Sequence, residues 1–302
     1  MKLIKISART IAKIRHCLLK LSIIMPMFRS LTNYTVHIET TSLCNGKCVF
    51  CPNSNMNRSR KVMDDETFEI IIKRIKQEKI NVKQFRLHLC GEPLTDSKLF
   101  ARIKNLKKTF PKSQVLFTSN FCLARDNVIR ELIDSGLDSL TISLNTVDEN
   151  EYKEIMGLDF ATTMHNIDSL FRIMDETEKK IKVSFSIVVK DDTSLAVKAF
   201  YDKYDAYGDV RSIRLGQWVG SDIDVGKRMD RQREACAILY KQLCVLSNGD
   251  YALCCFDPEG VVGKNIKDTP IMDAYSSGVY EKIRIHHIKH GQTNDICINC
   301  SF

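Results

Sequence analysis

No stretch of this 302-residue chain is both apolar enough and long enough to cross a bilayer. The best candidate, Leu18–Phe28, contains Lys20 and Pro26. It also follows a basic, helix-like run rather than a short charged start, so a cleaved secretory leader is not expected either. Acidic residues are missing from the first 30 positions, which hold Lys2, Lys5, Arg9, Lys13, Arg15, Lys20 and Arg29. Removing these seven from 45 Lys and Arg leaves 38 against 37 Asp and Glu, so seven charges of the formal net +8 belong to the N-terminus. The nearly neutral remainder carries no basic stripe interleaved with aromatics, and nucleic acid is not an expected partner. Internal repeats and low-complexity segments are absent as well, which excludes a repeat array.

What remains is the composition of an ordinary globular protein, 44% hydrophobic and 27% charged, with one anomaly: twelve cysteines. In a chain of this length without a secretory leader, clustered cysteines point to metal rather than to disulfides, and to the cytoplasm. Residues 1–32 read as a basic amphipathic extension, since Ile4, Ile11, Ile14, Leu18, Leu21 and Met25 recur largely at three- and four-residue steps. Packing on the body is the favoured use of that face, and docking on an anionic membrane surface the alternative. From residue 33 to 227 strands alternate with helices. Strands are expected at Tyr34–Glu39, Phe85–Leu89, Val115–Thr118, Leu140–Leu144, Val183–Val189 and Ser212–Leu215. Helices are expected at Asp65–Glu78 (opened by Asp64), Ser97–Thr109, Asn127–Ser135, Thr162–Met174 and Ser194–Tyr204. Six strand–helix units imply an α/β fold, a partial (β/α)6 TIM-like barrel with functional residues at the C-terminal strand ends. Residues 228–302 lose the alternation and hold six of the twelve cysteines, as a small cysteine-rich domain that needs a metal to fold.

Cys44-Asn45-Gly46-Lys47-Cys48-Val49-Phe50-Cys51 follows the first strand. Three thiolates on a short loop suit three irons of a cubane and leave the fourth without a protein ligand. A zinc knuckle is the alternative, but zinc wants a fourth Cys or His nearby, and the nearest, His37, lies within a strand. The C-x3-C-x2-C run with Phe50 before its last cysteine resembles the radical S-adenosylmethionine (SAM) superfamily. In that family the open iron chelates SAM, and an electron from the cluster releases a 5′-deoxyadenosyl radical. Cys90-Gly91-Glu92-Pro93 resembles the family's G-G-E-P motif with its first glycine replaced, which implies that Gly91, Glu92 and Pro93 bind the SAM ammonium. Thr118-Ser119-Asn120 and Ser143-Leu144-Asn145, ending the third and fourth strands, imply further SAM contacts at Asn120, Ser143 and Asn145.

Cys236, Cys254, Cys297 and Cys300, with the turn Ser247–Tyr251 between, form a second constellation. It resembles the auxiliary-cluster domain called SPASM in its shortened Twitch form, as does Gly263-Lys264-Asn265, and implies a second, fully ligated 4Fe–4S cluster. A four-cysteine zinc ribbon uses the same ligand number. Cys17, Cys90, Cys122, Cys244 and Cys255 are expected to be packing thiols, and His286, His287 and His290 polar positions on a basic helix.

The cofactors implied are therefore SAM and two 4Fe–4S clusters, served by an external one-electron donor of flavodoxin or ferredoxin type. The cysteine spacing is similar to the 2-deoxy-scyllo-inosamine dehydrogenase type, which implies oxidation of a C–H or secondary alcohol of a sugar- or cyclitol-like small molecule. Arg214, in the last barrel strand, is a candidate substrate contact, with a surface-paired strand arginine as the alternative; Asp257 is a candidate contact or base, with a turn role before Pro258 favoured. A peptide or protein maturase is the second reading, disfavoured because about 30 residues before the first strand are too few for a recognition domain. A non-catalytic iron–sulfur or zinc scaffold is the third.

Overall fold

The computed structural model describes residues 8–24, 33–189, 195–214, 236–290 and 297. Six strands run parallel: β1 (Tyr34–Ile38), β2 (Val82–Arg86), β3 (Gln114–Ser119), β4 (Ser139–Ser143), β5 (Lys182–Val189) and β6 (Asp209–Arg214). Between them lie α2 (Asp65–Gln77), α3 (Leu99–Thr109), α4 (Asp126–Asp134), α5 (Glu149–Met156), α6 (Phe160–Thr177) and α7 (Leu195–Tyr204). Each strand adds beside its predecessor, as crossover helices dictate, so the C-terminal ends share one rim. The partial barrel expected from the sequence is the fold observed.

Local chemistry explains the helix ends. Asp64 caps α2 by accepting the Thr67 amide at 2.7 Å. Asp148 caps α5 through the Glu151 amide at 2.8 Å, and Gly157, at φ +64°, ends it. The sequence reading did not contain α5, which is eight residues long and mostly polar. Phe68, Ile71 and Ile75 of α2 are buried in the same core as Val36, Ile38 and Phe85 of the sheet. Each such burial contributes roughly 1.5–3 kcal/mol.

The sheet does not end at β1. β7 (Gln242–Val245) pairs parallel to it, with Val36 opposite Leu243 and Ile38 opposite Val245, and β8 (Tyr251–Ala252) returns antiparallel to β7. The strand order is β6-β5-β4-β3-β2-β1-β7-β8. The segment read from the sequence as a small domain over 228–302 thus shares both the barrel's sheet and its core, through Leu239, Tyr240, Leu243 and Val245. Gly249, at φ +88°, makes the turn between β7 and β8. Behind them lie α8 (Ile271–Tyr275), whose first amides meet the Glu78 carboxylate at 2.8 Å, and α9 (Gly278–His290). Arg284 of α9 is fully buried, donating to the Leu239 and Tyr275 carbonyls and lying 4.2 Å from the Tyr275 ring centroid.

The first helix, α1 (Ala8–Ile24), packs on α9 through buried Ala12 and through His16, whose Nε2 lies 3.4 Å from Glu281. Ile11, Ile14 and Leu18 stay exposed on it. Among the described residues no helix is long and apolar enough to cross a membrane.

Candidate active site at the strand ends

The cysteine loop leaves the C-terminal end of β1 and is held by backbone rather than by its own packing. Lys47 and Val49 donate their amides to the carbonyls of Met156 and Ile155, at the end of α5, at 2.9 and 3.0 Å. Cys51 donates back to Cys48 at 3.0 Å, and the Gly46 amide points at Cys44 Sγ, 3.4 Å away. Asn53 ties the loop to the end of β2, its Nδ2 donating to Ser42 and Cys90 carbonyls at 2.8 and 2.7 Å. Phe50 packs against the main core.

Burial pushes the Cys44 thiol up to about 11 and, together with the neighbouring Cys51 and Cys44 charges, the Cys48 thiol up to about 12; it raises Cys51 as well. Iron binding at these thiols therefore displaces protons. Among the described residues no three Cys, His, Asp or Glu side chains close around a single-ion position. The fit of this triad to a cluster rests on its donor chemistry, three mutually interacting thiols on one loop beside an acidic strand end.

Two polar chains join the loop to the strand ends. In the first, Glu92, 3% exposed, accepts the Ser119 hydroxyl at 2.7 Å and the Asn120 and Leu94 amides at 2.8 and 3.1 Å. Asn120 Nδ2 then donates to Asn45, inside the cysteine loop, at 2.9 Å. Burial raises the Glu92 carboxyl to about 6 against the pull of those donors. Its remaining lone pairs suit a further cationic donor. Gly91 cannot be replaced, since a Cβ there would lie 2.1 Å from the Thr41 carbonyl oxygen. Pro93 then opens a short turn that Glu92 caps. In the second chain Cys48 Sγ lies 3.4 Å from Met156 Sδ, which meets Asn145 Nδ2 at 2.8 Å; that nitrogen also donates to Ser143 at 3.1 Å. Asn145, at φ +66°, accepts the Val188 amide at 2.9 Å, so it fastens β4 to β5.

The structure thus brings Cys44, Cys48, Cys51, Gly91, Glu92, Asn120, Ser143 and Asn145 to one rim. Asn45, Asn53, Ser119 and Met156 are partners that the sequence motifs did not single out. Asn45 lies inside the cysteine run and Ser119 beside Asn120, but Asn53 and Met156 carry no local signal.

The C-terminal constellation is seen in part. Cys236 and Cys297 pack against the main core, Cys254 stands on the loop after β8, and Cys300 lies outside the described residues. His287, expected as a polar position on a basic helix, does lie on α9. It is buried, with Nδ1 accepting the Cys236 amide at 3.3 Å, and burial followed by the His286 charge lowers it to about 4. Cys90 and Cys244 are buried as expected of packing thiols, whereas Cys17 is exposed. Arg214 ends β6, and its side chain lies outside the described residues. Asp257 takes the turn role that the sequence favoured over a contact or a base. It is fully buried and spends both oxygens on the amides of Leu253, Gly260 and Val261, at 2.8, 2.9 and 3.0 Å. A carboxylate so engaged organises its own loop.

A buried ion pair joins the two halves. Arg58, beyond the cysteine loop, donates to Glu39 at 2.6 Å, to Ser247 at 3.2 Å and to the Pro258 carbonyl. Glu39 accepts in turn from the amides of Cys90 and Ser247, at 3.2 and 2.9 Å.

Residues 38–203, more than half of the chain, match the radical SAM superfamily, and the chain belongs to it. Residues 236–301 match the iron–sulfur cluster-binding domain SPASM. SAM and two 4Fe–4S clusters are the cofactors these two domains carry. GTP 3′,8-cyclase of Clostridium perfringens (strain SM101 / Type A) is 31% identical over 162 residues, covering 52% of this chain and 47% of the cyclase. A probable GTP 3′,8-cyclase of Methanocaldococcus jannaschii is 29% identical over 161 residues, 52% of each chain. The chain spans about half the length of these curated relatives. BtrN in complex with AdoMet and 2-DOIA shares the fold at TM-score 0.56 and 16% identity, covering 89% of this chain and 93% of BtrN. Streptococcus suis SuiB bound to precursor peptide SuiA does so at TM-score 0.61 and 17% identity, covering 97% and 74%.

Proposed function

We propose that this radical SAM enzyme oxidises a C–H or secondary alcohol of a sugar- or cyclitol-like molecule, with a Twitch-type auxiliary cluster as electron acceptor. When bound, SAM and the clusters supply a 5′-deoxyadenosyl radical for hydrogen abstraction and a sink for the electron left on the substrate. Cys44, Cys48 and Cys51 would hold the first cluster, and Cys236, Cys254, Cys297 and Cys300 the second. Glu92 is suited to the SAM ammonium, with Gly91 and Pro93 shaping its turn, while Asn120, Ser143 and Asn145 offer polar groups at neighbouring strand ends. The observation that carries the reading is the approach of the auxiliary loop to the barrel: the Cys255 thiol, next to Cys254, lies within electrostatic range of Arg86 on β2.

Two-electron oxidation removes one hydrogen atom from carbon and one proton from the hydroxyl. Asp257 is unsuited to take the proton, because its oxygens are occupied. The cyclase relatives favour a second reading, rearrangement of a purine nucleotide, but their likeness covers about half of this chain. The test is anaerobic incubation of reconstituted protein with SAM, dithionite and candidate substrates. The proposal expects 5′-deoxyadenosine and a product two hydrogens lighter. Cleavage of SAM with an isomeric product would support a rearrangement, a modified peptide a maturase, and no cleavage at all a non-catalytic scaffold.

A further inference from the structure

The interior of a closed (β/α)8 barrel is filled by layers of branched apolar side chains. This partial barrel is different. Val36, Ile38, Phe85, Leu87, Phe117 and Ile142 belong to the core shared with the helices. The alternating positions therefore turn to the opposite, inner face. They include His37 on β1, Arg86 on β2, His88 just beyond it, Thr141 on β4, and Ser184 and Ser186 on β5. Register agrees: His37 stands opposite Arg86, and Thr141 opposite Ser184 with their hydroxyls 3.1 Å apart.

Several of these groups lack protein partners. His37 is 3% exposed, and its ring, approached by the His88 backbone, makes no well-formed hydrogen bond; buried Ser186 Oγ makes none. Buried polar atoms of this kind are normally satisfied by water or ligand. His88 stands edge-on to His37 at 6.2 Å, its Nδ1 accepting the Thr118 amide at 3.1 Å, so in the neutral ring the proton sits on Nε2. Burial, and then the Arg86 charge, lowers His37 to about 3; His88 is lowered by burial, then by His37 and Arg86. Both rings are thus neutral hydrogen-bonding groups at physiological pH.

Arg86 is the charge that remains. It is half-buried, its partner is the neutral Gln84 amide oxygen at 3.3 Å, and no carboxylate among the described residues pairs with it. The next cation, Arg211, lies within electrostatic range. Glu39 is engaged by Arg58 at 2.6 Å, and Asp209 by Lys182 at 2.7 Å and Arg211 at 3.8 Å. A partly buried guanidinium without a counter-charge is costly unless a ligand supplies one.

We infer that this interior is the substrate pocket, and that its substrate is a hydroxylated ring bearing an anionic group, a phosphate ester or a carboxylate, held by Arg86 while His37, His88 and Ser186 bond its hydroxyls. The inference rests on the oxidation reading above for the chemistry and narrows its substrate. A cationic aminocyclitol meets Arg86 as a like charge and is disfavoured.

The test uses reconstituted holoenzyme with SAM bound, titrated with glucose 6-phosphate, glucuronate, myo-inositol, glucosamine and GTP. Glucose 6-phosphate and glucuronate are expected to bind at least about tenfold more tightly than myo-inositol, with glucosamine weakest. Arg86→Gln should erase that preference and Arg86→Lys retain part of it, with iron content and far-UV circular dichroism verifying the fold of each variant. Equal binding of neutral and anionic probes, or a preference that survives Arg86→Gln, overturns the inference. Product analysis separates it from the oxidation reading. Oxidation of a neutral sugar without dependence on Arg86 leaves that reading standing and overturns the anionic pocket. Arg86-dependent conversion of an anionic probe, GTP included, without loss of two hydrogens keeps the pocket and overturns the oxidation.

Discussion

Glu92 shows how one residue couples the fold to the cofactor. Its folded pKa of about 6 lies above the ordinary 4.5, because burial outweighs the donors from Asn120, Ser119 and Leu94. The sign follows: this carboxyl favours the fold below about pH 4.5, and that contribution is lost as the pH rises through 6. That contribution amounts to about 2 kcal/mol. In the SAM-free protein, Glu92→Gln should flatten the change of unfolding free energy between pH 4.5 and 6.5, measured by urea titration; an unchanged slope would count against the burial argument. SAM affinity should run the other way in the wild type. It should strengthen as the pH passes about 6, where the carboxylate available to an ammonium forms. Legibility in the sequence differed sharply from residue to residue. Glu92 and Asn120 stand at motif positions, whereas Asn53 and Met156 act on partners distant in the chain and look like any loop Asn or helix Met.

Among elements, the repeating strand–helix pattern was readable because parallel strands with crossover helices leave a periodic apolar trace. β1, β3, β4 and β5 fall within about a residue of their expected bounds. β2 begins at Val82 rather than at Phe85, since Lys83 and Gln84 are polar on the inner or solvent side and hide the strand's start. The hairpin at Gly249 was readable too, but its docking was not: nothing local in Gln242–Val245 signals a parallel pairing with β1 across some 200 residues. The Arg58–Glu39 pair depends on that docking. Its side chains are 6% and 0% exposed, and Arg58 also holds Ser247 and Pro258. Removing one member leaves the other charge buried, so Arg58→Ala should cost about 3–5 kcal/mol in chemical unfolding. A loss under 1 kcal/mol would mean that Glu39 finds another partner or a proton.

For the whole molecule, the consequence is that the two cluster-binding halves are parts of one sheet. β7 covers the edge of β1, and Leu239, Tyr240 and Leu243 complete a core that the barrel does not close alone. A chain ended at residue 227 should expose that edge and elute as aggregate in size-exclusion chromatography; a monodisperse barrel would show that the shared core is dispensable. The same continuity brings the Cys255 thiol within electrostatic range of Arg86 on β2, and a division of labour between a radical-generating and an electron-accepting cluster depends on such an approach. That division is tested most directly by comparing Cys44→Ala with Cys297→Ala in parallel anaerobic assays that quantify 5′-deoxyadenosine and oxidised product. Cys44→Ala should abolish both. Cys297→Ala should retain measurable 5′-deoxyadenosine while losing the product, and equal loss of both in the two variants would contradict the account.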